Sequence, residues 1–405
     1  MHKNKRLTIH ERRIIKSKTF YIIYYTHDRC KGGDTLDQRF WVMFQEDFTS
    51  FQEGIRRFQT ALDGIPDRVP VYAQLHEFAM KEIGAGAKEF YTNAELLVTG
   101  TLEIHEKYGI DVPMIDYDVY NIEAEAIGQA MKYSETDMPD VDRRRPLIRD
   151  RDDLNKIRTP DFDSEARFAQ VIEMNHIFCK LIGGDTTPTL NFCAPFSLAA
   201  NIRGFEQLIM DIYSDPGFVR TLFDRITGEL LAPWILRLKK EFPFAKSICG
   251  SDAVGSLPLV DLDILNEWII PYVIRLRELC GPEVYVPNWV GESYLKNPEE
   301  MLDFKRQVCP EFVAGQDPDV EKLGPELYKK YAAKHNLPLI LGIGAVFLAT
   351  ATPAEVARRV KTYIEAGGKK GRFILYLCNL GATTPPENVT AAVEAVRQYG
   401  DYGPH

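Results

Sequence analysis

Short apolar segments alternate with amphipathic stretches along most of the chain, and this alternation constrains the fold more than any other feature. Eight segments read as buried strands, at residues 69–75, 112–117, 189–192, 247–250, 284–288, 311–315, 337–343 and 373–378. Helical periodicity marks the stretches at residues 47–62, 205–213, 216–240, 263–279, 298–308, 325–335, 352–366 and 386–399. Strands that alternate with helices form parallel sheets, and eight such units favour a closed barrel. The pattern predicts an α/β protein with a single (β/α)8 TIM barrel.

An open, doubly wound sheet is the main alternative for such a pattern. It is disfavoured because no Gly-x-Gly-x-x-Gly turn follows any of the apolar segments. Gly315, Gly342 and Gly344 also stand where crowded barrel strands or their loops use glycine. Residues 124–185 are polar and rich in Asp, Arg and Pro, and we interpret them as an excursion inserted after the second strand.

The N-terminal region differs from the rest of the chain in charge and in pattern. Residues 1–42 contain ten Lys and Arg against four Asp and Glu, which predicts a disordered basic extension before a barrel domain at residues 43–405. The apolar run at residues 20–25 is shorter than a secretion signal or a membrane span requires. We therefore expect a cytoplasmic protein without a membrane partner. The net charge of −9 argues against a nucleic-acid partner, which needs a basic surface.

The carboxyl ends of the strands are where a (β/α)8 barrel gathers its catalytic groups. In this sequence those ends carry amides, carboxylates, thiols and a histidine: Gln74, His76, Asp116, Asp118, Asn191, Cys193, Cys249, Ser251, Asp252, Asn288, Gln316, Asp317 and Cys378. So many hydrogen-bonding and ionisable side chains predict an active site at this end of the barrel.

Three thiols and one imidazole of this set are candidate metal ligands, because thiolate and imidazole are the ligands that Zn²⁺ prefers. The four candidates for a tetrahedral zinc site are Cys378, His76, Cys193 and Cys249. The alternative is that the cysteines are small buried apolar residues, the commoner role of a free cysteine. His76 would then pack at the rim or contact substrate.

Two carboxylates follow the second strand. Asp116 and Asp118 are two residues apart, so on continued β geometry their side chains face the same way. Two close carboxylates raise one of the two pKa values, which suits proton transfer. A salt bridge with an arginine is the alternative interpretation.

Three stretches carry a resemblance to a known family. They are Pro66-Asp-Arg-Val-Pro-Val-Tyr, then Ala194-Pro-Phe-Ser-Leu-Ala-Ala with the downstream Gly204-Phe-Glu and Asp215-Pro, and finally Cys378 through Thr384-Pro-Pro-Glu-Asn-Val. In this order and spacing, over about residues 48–399, the chain resembles the uroporphyrinogen decarboxylase superfamily. The resemblance implies a TIM-barrel enzyme, either a decarboxylase or a corrinoid-dependent methyltransferase such as methylcobamide:coenzyme M methyltransferase.

The decarboxylase pattern is only partly present. True decarboxylases of the family carry an arginine-rich segment after the first strand that binds the acid groups of a tetrapyrrole, whereas residues 72–79 contain no arginine. The family's substrate-binding aspartate matches Asp118 with a one-residue gap. Its active-site tyrosine falls on Asn201 and its late histidine on Cys378. The resemblance is therefore nearer to the methyltransferase branch.

The methyltransferase pattern also departs from this sequence at one point. In the coenzyme M methyltransferases the late position is a zinc-binding cysteine, as Cys378 is, and a His-x-Cys-Gly motif after the fifth strand supplies further ligands. Here that motif reads Asn288-Trp-Val-Gly, so Asn288 and Val290 replace the two ligands. The resemblance implies zinc held by Cys378, with His76, Cys193 and Cys249 as the remaining candidates.

The resemblance implies an enzyme that moves a methyl group between a small methylated compound and a corrinoid. A separate partner protein would hold the corrinoid, since this chain contains no D-x-H-x-x-G signature. Expected catalytic residues are Asp118, His76 and Cys378. Expected substrate contacts are Gln74, Asp116, Asn201, Asp252, Asn288 and Gln316. Uroporphyrinogen decarboxylation without metal or cofactor is the alternative function, and a non-catalytic binding subunit is a second one. The resemblance also implies a homodimer.

Overall fold

The computed structural model describes residues 14–16, 21–23, 48, 50–115, 117–183 and 188–403. The chain divides into two compact units, Met1–Phe48 and Thr49–His405. In the first unit, β1 (Ile14–Lys16) and β2 (Tyr21–Ile23) pair antiparallel. The rest of the predicted disordered extension, residues 1–42, lies outside the described residues.

Parallel strands form the centre of the second unit. Its strands are β3 (Val71–Ala73), β4 (Met131–Lys132), β5 (Asp140–Val141), β6 (Leu190–Cys193), β7 (Ile248–Ser251), β8 (Val284–Tyr285), β9 (Val313–Gln316), β10 (Leu339–Ile343) and β11 (Phe373–Leu377). The pair β4 and β5 is an antiparallel hairpin, and all other pairs in this unit are parallel.

The strand order is that of a (β/α)8 barrel. One sheet has the order β3-β11-β10-β9, so the last strand lies beside the first, and a second sheet has the order β6-β7-β8. Val112 takes the place of the second predicted strand through a single parallel bridge to Tyr72. Neighbours in space are thus neighbours along the chain, as the barrel requires. The prediction of an α/β TIM barrel is confirmed, and in the described residues its ladders form two arcs.

Three predicted strands are much shorter than expected, and each has a proline within or close to it. The first, β3, covers only Val71–Ala73 of the predicted residues 69–75, which contain Pro70. Residues 112–117 contribute only the bridge at Val112, and β8 ends at Tyr285 although the sequence predicts a strand to residue 288. Pro113 and Pro287 follow closely. Proline has no backbone N–H to donate, so it stops a ladder in the middle of a sheet.

Helices flank the strands, and they include all eight helical stretches predicted from the sequence together with helices that the sequence analysis did not predict. They are α1 (Phe51–Asp63), α2 (His76–Glu82), α3 (Ala87–Thr92), α4 (Ala94–Tyr108), α5 (Ile122–Ala126), α6 (Ala166–Ile182), α7 (Pro195–Arg203), α8 (Phe205–Ser214), α9 (Pro216–Arg225), α10 (Ala232–Glu241), α11 (Leu262–Ile264), α12 (Ile270–Cys280), α13 (Pro298–Val308), α14 (Asp319–Leu323), α15 (Pro325–Lys334), α16 (Ala345–Thr350), α17 (Pro353–Gly367) and α18 (Pro386–Tyr399). Among the described residues, no helix combines the length and apolar character needed to cross a bilayer.

The last helix illustrates why these stretches fold as they do. Pro386 opens α18, where a missing N–H costs nothing and the fixed φ suits the first turn. Val389, Val393 and Val396 are buried at helical spacing on one face. That apolar face packs inward, so burial stabilises the helix more than its intrinsic propensity does.

Two predicted helices contain a π-helical turn just before a proline. Residues Ile226–Leu231 join α9 to α10, and residues Leu265–Ile269 join α11 to α12. Pro233 and Pro271 lie at the second position of the helices that follow. Because proline cannot donate to the carbonyl one turn earlier, a locally wider turn lets the helix continue past it.

The predicted polar excursion, residues 124–185, contains a long helix that the sequence pattern did not reveal. After the β4–β5 hairpin and a 3₁₀ turn at Asp152–Lys156, α6 runs from Ala166 to Ile182. It buries Phe168, Val171 and Phe178. The excursion therefore ends in a helix that precedes β6.

Gly315 gives a test of the crowded-strand interpretation. A Cβ at Gly315 would lie 2.5 Å from the ring of buried Tyr328. We expect Gly315→Ala to lower the unfolding free energy by about 1–3 kcal/mol, as overpacking does. Gly217→Ala, at an exposed helical position with room for a Cβ, is the matched control. Denaturant unfolding of the two variants measures this difference. Equal unfolding free energies for Gly315→Ala and Gly217→Ala would contradict the packing argument.

Candidate functional site

A cluster of neutral polar side chains joins the carboxyl ends of β3, β9 and β11. The Tyr376 hydroxyl donates a hydrogen bond to Gln74 Oε1. The Cys378 thiol donates to Gln316 Oε1 at 3.3 Å. Tyr72 stacks on Tyr376 with ring centroids 4.5 Å apart. Three predicted site residues, Gln74, Gln316 and Cys378, are thus brought to adjoining strand ends, and we call them with Tyr376 the amide–thiol cluster.

Gly342 on β10 makes room for this cluster. A Cβ at Gly342 would overlap Cys378 Sγ and lie 2.9 Å from Gln316 Cβ. The glycine is therefore required by the close approach of the thiol to the neighbouring strand.

His76 lies beside the cluster in an unusual backbone conformation. Its φ is +35°, and Nε2 lies 3.2 Å from Oδ1 of Asn379, which has a φ of +47°. Leu380 N–H donates to the Gln74 carbonyl at 2.8 Å and Phe78 N–H to the Leu380 carbonyl at 3.3 Å. These backbone bonds hold the two chain segments together on either side of the pair. Sequence reasoning missed Asn379, although an asparagine just past a strand is a signal for a left-handed residue.

Asp118 does not face an open site. Its side chain is fully buried, and Nη2 of Arg167 lies 2.7 Å from each carboxylate oxygen. Arg167 also forms an ion pair with Glu125 at 2.7 Å. Burial raises the pKa of Asp118 to about 6, against the opposing effect of Arg167. The interpretation as a salt bridge therefore describes Asp118 better than a free catalytic role; its predicted partner Asp116 lies outside the described residues.

Glu123 is a buried carboxyl group that sequence reasoning missed. It is 1% exposed, and its Oε1 accepts a hydrogen bond from the Cys193 N–H at 3.2 Å. Burial raises the pKa of Glu123 to about 8, so the group is mainly protonated at neutral pH. Sequence reasoning missed it because it lies between the second predicted strand and the stretch that we interpreted as a polar excursion, residues 124–185.

Asp252 and Asn288 form hydrogen bonds with each other. Asp252 N–H donates to Asn288 Oδ1 at 3.1 Å, and Asn288 Nδ2 donates back to the Asp252 carbonyl. The Asp252 carboxylate accepts from the Ser197 hydroxyl at 2.6 Å and from Trp289 Nε1 at 3.0 Å. Burial raises the pKa of Asp252. Asn201, another predicted substrate contact, donates to the Tyr120 carbonyl at 2.7 Å. These three residues connect the loops of the strand ends.

The four predicted zinc ligands do not form one site. The thiols of Cys193 and Cys249 are directed to backbone carbonyls, at 3.7 and 3.9 Å, and that of Cys378 to an amide oxygen. Burial raises the pKa of all three thiols, to about 12 for Cys249, so they are protonated in the metal-free chain at neutral pH. Within the described ranges, no three or more His, Cys, Asp or Glu side chains are placed to hold a metal ion. The arrangement does not fit a tetrahedral zinc site.

Comparison with known proteins gives a family and a fold. Residues 55–278 match the family model described as "Uroporphyrinogen decarboxylase (URO-D)". A methyltransferase from Methanosarcina mazei is similar in structure with a TM-score of 0.68 and 20% identity, over 85% of this chain and 98% of that one. A B12-independent methionine synthase from Shewanella sp. W3-18-1, in complex with selenomethionine, matches at a TM-score of 0.39 and 15% identity, over 77% and 89%. No curated protein matches. At these identities the structural likeness concerns the fold.

The raised pKa of Glu123 predicts a pH dependence of stability. Its folded value of about 8 lies above its usual 4.5, so the folded chain binds more protons between these values and stability falls as pH rises through the window. Glu123→Gln, which mimics the protonated form, should gain stability relative to wild type by up to about 1.4 kcal/mol per pH unit there. Thermal melts at several pH values measure the difference, with the exposed Glu278→Gln as control. A constant difference would contradict the assignment.

The arrangement of the thiols gives a second prediction. We expect purified protein to contain well below one zinc ion per chain, with no change in Cys378→Ala, because no described cluster supplies a ligand set. Elemental analysis of both proteins, with Cys179→Ala as the control thiol variant, measures this. A full equivalent of zinc that is lost only in Cys378→Ala would restore the zinc site implied by the sequence.

Proposed function

The chain belongs to the uroporphyrinogen decarboxylase (URO-D) family, and from this premise we propose that it transfers a methyl group between a small methylated compound and a corrinoid carried by a separate protein. The proposal rests on one observation, which is how the charged side chains at the strand ends are bound within the protein. Three carboxylates there are held within the protein, Asp118 and Asp317 by arginines and Asp252 by hydrogen bonds from Ser197 and Trp289, whereas the amide–thiol cluster is neutral.

The pairing of these charges argues against a polyanionic substrate. Arg167 is committed to Asp118 and Glu125, and Arg359 forms an ion pair with Asp317 at 2.9 Å. A tetrapyrrole with many carboxylates needs guanidinium groups that are free to bind it. The pyrrole nitrogens would also have to compete with Arg167 for Asp118. A small, uncharged methylated compound needs neither free guanidinium groups nor access to the Asp118 carboxylate.

The amide–thiol cluster supplies what such a substrate requires. Gln74 and Gln316 offer amide groups that orient a polar heteroatom, and Tyr72 and Tyr376 offer aromatic surface. Burial raises the pKa of the Cys378 thiol, so it remains an S–H donor. We place the methyl-bearing heteroatom beside this donor.

The proposed reaction conserves atoms and electrons. The bond between the methyl carbon and the heteroatom breaks, and the methyl group passes to the Co(I) corrinoid of the partner, which becomes methyl-Co(III). The bonding pair stays on the heteroatom, which then takes up a proton. When the substrate binds, the single S–H of Cys378 turns from Gln316 Oε1 to the heteroatom and stabilises the charge that develops there. No step is assigned to zinc.

The proposal is tested with cob(I)alamin as the methyl acceptor and a panel of methyl ethers, methyl thioethers and methylamines as donors. The absorbance change of the corrinoid on methylation reports the rate. Gln316→Ala removes the amide that holds the Cys378 thiol, and we expect kcat/KM to fall about 10- to 100-fold, the effect of one lost hydrogen bond in a buried site. Gln59→Ala, at an exposed helix position, is the control.

Decarboxylation is assayed in parallel. Release of carbon dioxide from uroporphyrinogen, with no methylation of cob(I)alamin by any donor, would replace the proposal by the alternative function. Activity in neither assay would favour a non-catalytic binding subunit.

A further inference from the structure

A cavity lies beside the barrel strands, and no residue of the amide–thiol cluster lines it. Its volume is about 550 Å³, within the range of small-molecule sites. Residues of α14, α16 and α17 line it, and Phe347 and Tyr363 provide its aromatic wall. None of the site residues predicted from the sequence lines this cavity.

The acidic side chains that line this cavity are already committed. Glu321 accepts a hydrogen bond from Arg359 Nη2 at 2.5 Å. Glu355 accepts from the backbone N–H and the hydroxyl of Thr352, each at 2.7 Å, and so caps α17. Neither carboxylate needs a ligand cation to be satisfied.

Arg359 is likewise held in place. Its guanidinium bridges Glu321 and Asp317 and lies 3.9 Å from the centroid of the Phe347 ring. This combination of two ion pairs and a cation–π contact fixes the side chain and the ring as one rigid wall.

Arg358 is different, because in the part of the chain that the structure describes its guanidinium has no hydrogen bond and no ion pair within 4 Å. Its side chain is exposed at the cavity. Its charge acts on Glu355 only through space, as the smallest of the causes that lower the pKa of that carboxyl. The cavity therefore presents one guanidinium with free donors beside an aromatic ring.

We propose that this cavity binds a small organic anion, with a carboxylate or phosphate group on Arg358 and an apolar portion against Phe347. A guanidinium offers planar, paired donors that match the oxygens of either group. The fixed ring of Phe347 supplies the surface for the apolar portion. This site is separate from the proposed methyl-transfer site, and anion binding here does not depend on methyl transfer.

Calorimetry on the full chain tests the proposal, with benzoate and phenyl phosphate as probes for the two anion types and benzamide as the neutral isostere of benzoate. We expect saturable binding of at least one anion and none of benzamide. Arg358→Gln should weaken binding at least about tenfold, as the loss of a charge-assisted hydrogen bond does. Arg56→Gln, an exposed helical arginine outside the cavity, should leave the affinity unchanged.

Phe347→Leu tests the contribution of the aromatic ring separately from that of Arg358. It should weaken phenyl phosphate more than inorganic phosphate, since only the former has a ring to place on Phe347. Absence of saturable binding in wild type, or equal affinity in wild type and Arg358→Gln, would overturn the proposal. Because no methyl donor or corrinoid is present, these outcomes are independent of the methyl-transfer assay.

Discussion

The buried guanidinium of Arg167 is the interaction on which this end of the molecule depends. It reaches from α6, at the end of the excursion, to Asp118 after the second barrel segment and to Glu125 on α5. Removing one partner of such a buried pair costs about 3–5 kcal/mol, because the remaining charge has no water. One guanidinium faces two carboxylates, so a third ionised carboxyl in the same interior would be uncompensated. The protonated state of nearby Glu123 follows from this excess of acid as well as from its burial.

The same pairing shapes the chemistry of the barrel end. Two carboxylates that look catalytic in the sequence have partners within the protein: Asp118 is bound by Arg167, and Asp252 accepts hydrogen bonds from Ser197 and Trp289. Under the proposed function, the neutral amide–thiol cluster would discriminate against polyanions without any repulsive residue, because the desolvation of each unpaired carboxylate would go uncompensated.

The sequence predicted the order of strands well, because each buried strand is visible in the local sequence as a short apolar run. The sequence analysis failed where a single residue determines the length of an element or where a residue distant in the chain determines a side chain's contacts. Pro113 and Pro287 shortened two strands, and α6 was hidden in a stretch judged by its polar composition. The sequence placed three members of the amide–thiol cluster, Gln74, Gln316 and Cys378, at strand ends, which converge in any barrel, but it did not identify Tyr376 or the hydrogen bonds within the cluster. The pairing of Asp118 with Arg167, and of His76 with Asn379 at a separation of 303 residues, depends on long-range packing that no local pattern encodes.

The left-handed backbone at His76 and Asn379 bears on how relatives of this chain should be compared. Few residues other than glycine and asparagine adopt a positive φ without strain, and a β-branched residue is nearly excluded. Both positions will therefore accept a narrow range of residues for reasons of chain geometry alone. An asparagine that relatives share at position 379 would therefore be explained by the left-handed turn after β11 alone. Replacing Asn379 by glycine keeps that backbone conformation and removes the side chain, so it separates the effect of the turn from the effect of the hydrogen bond to His76.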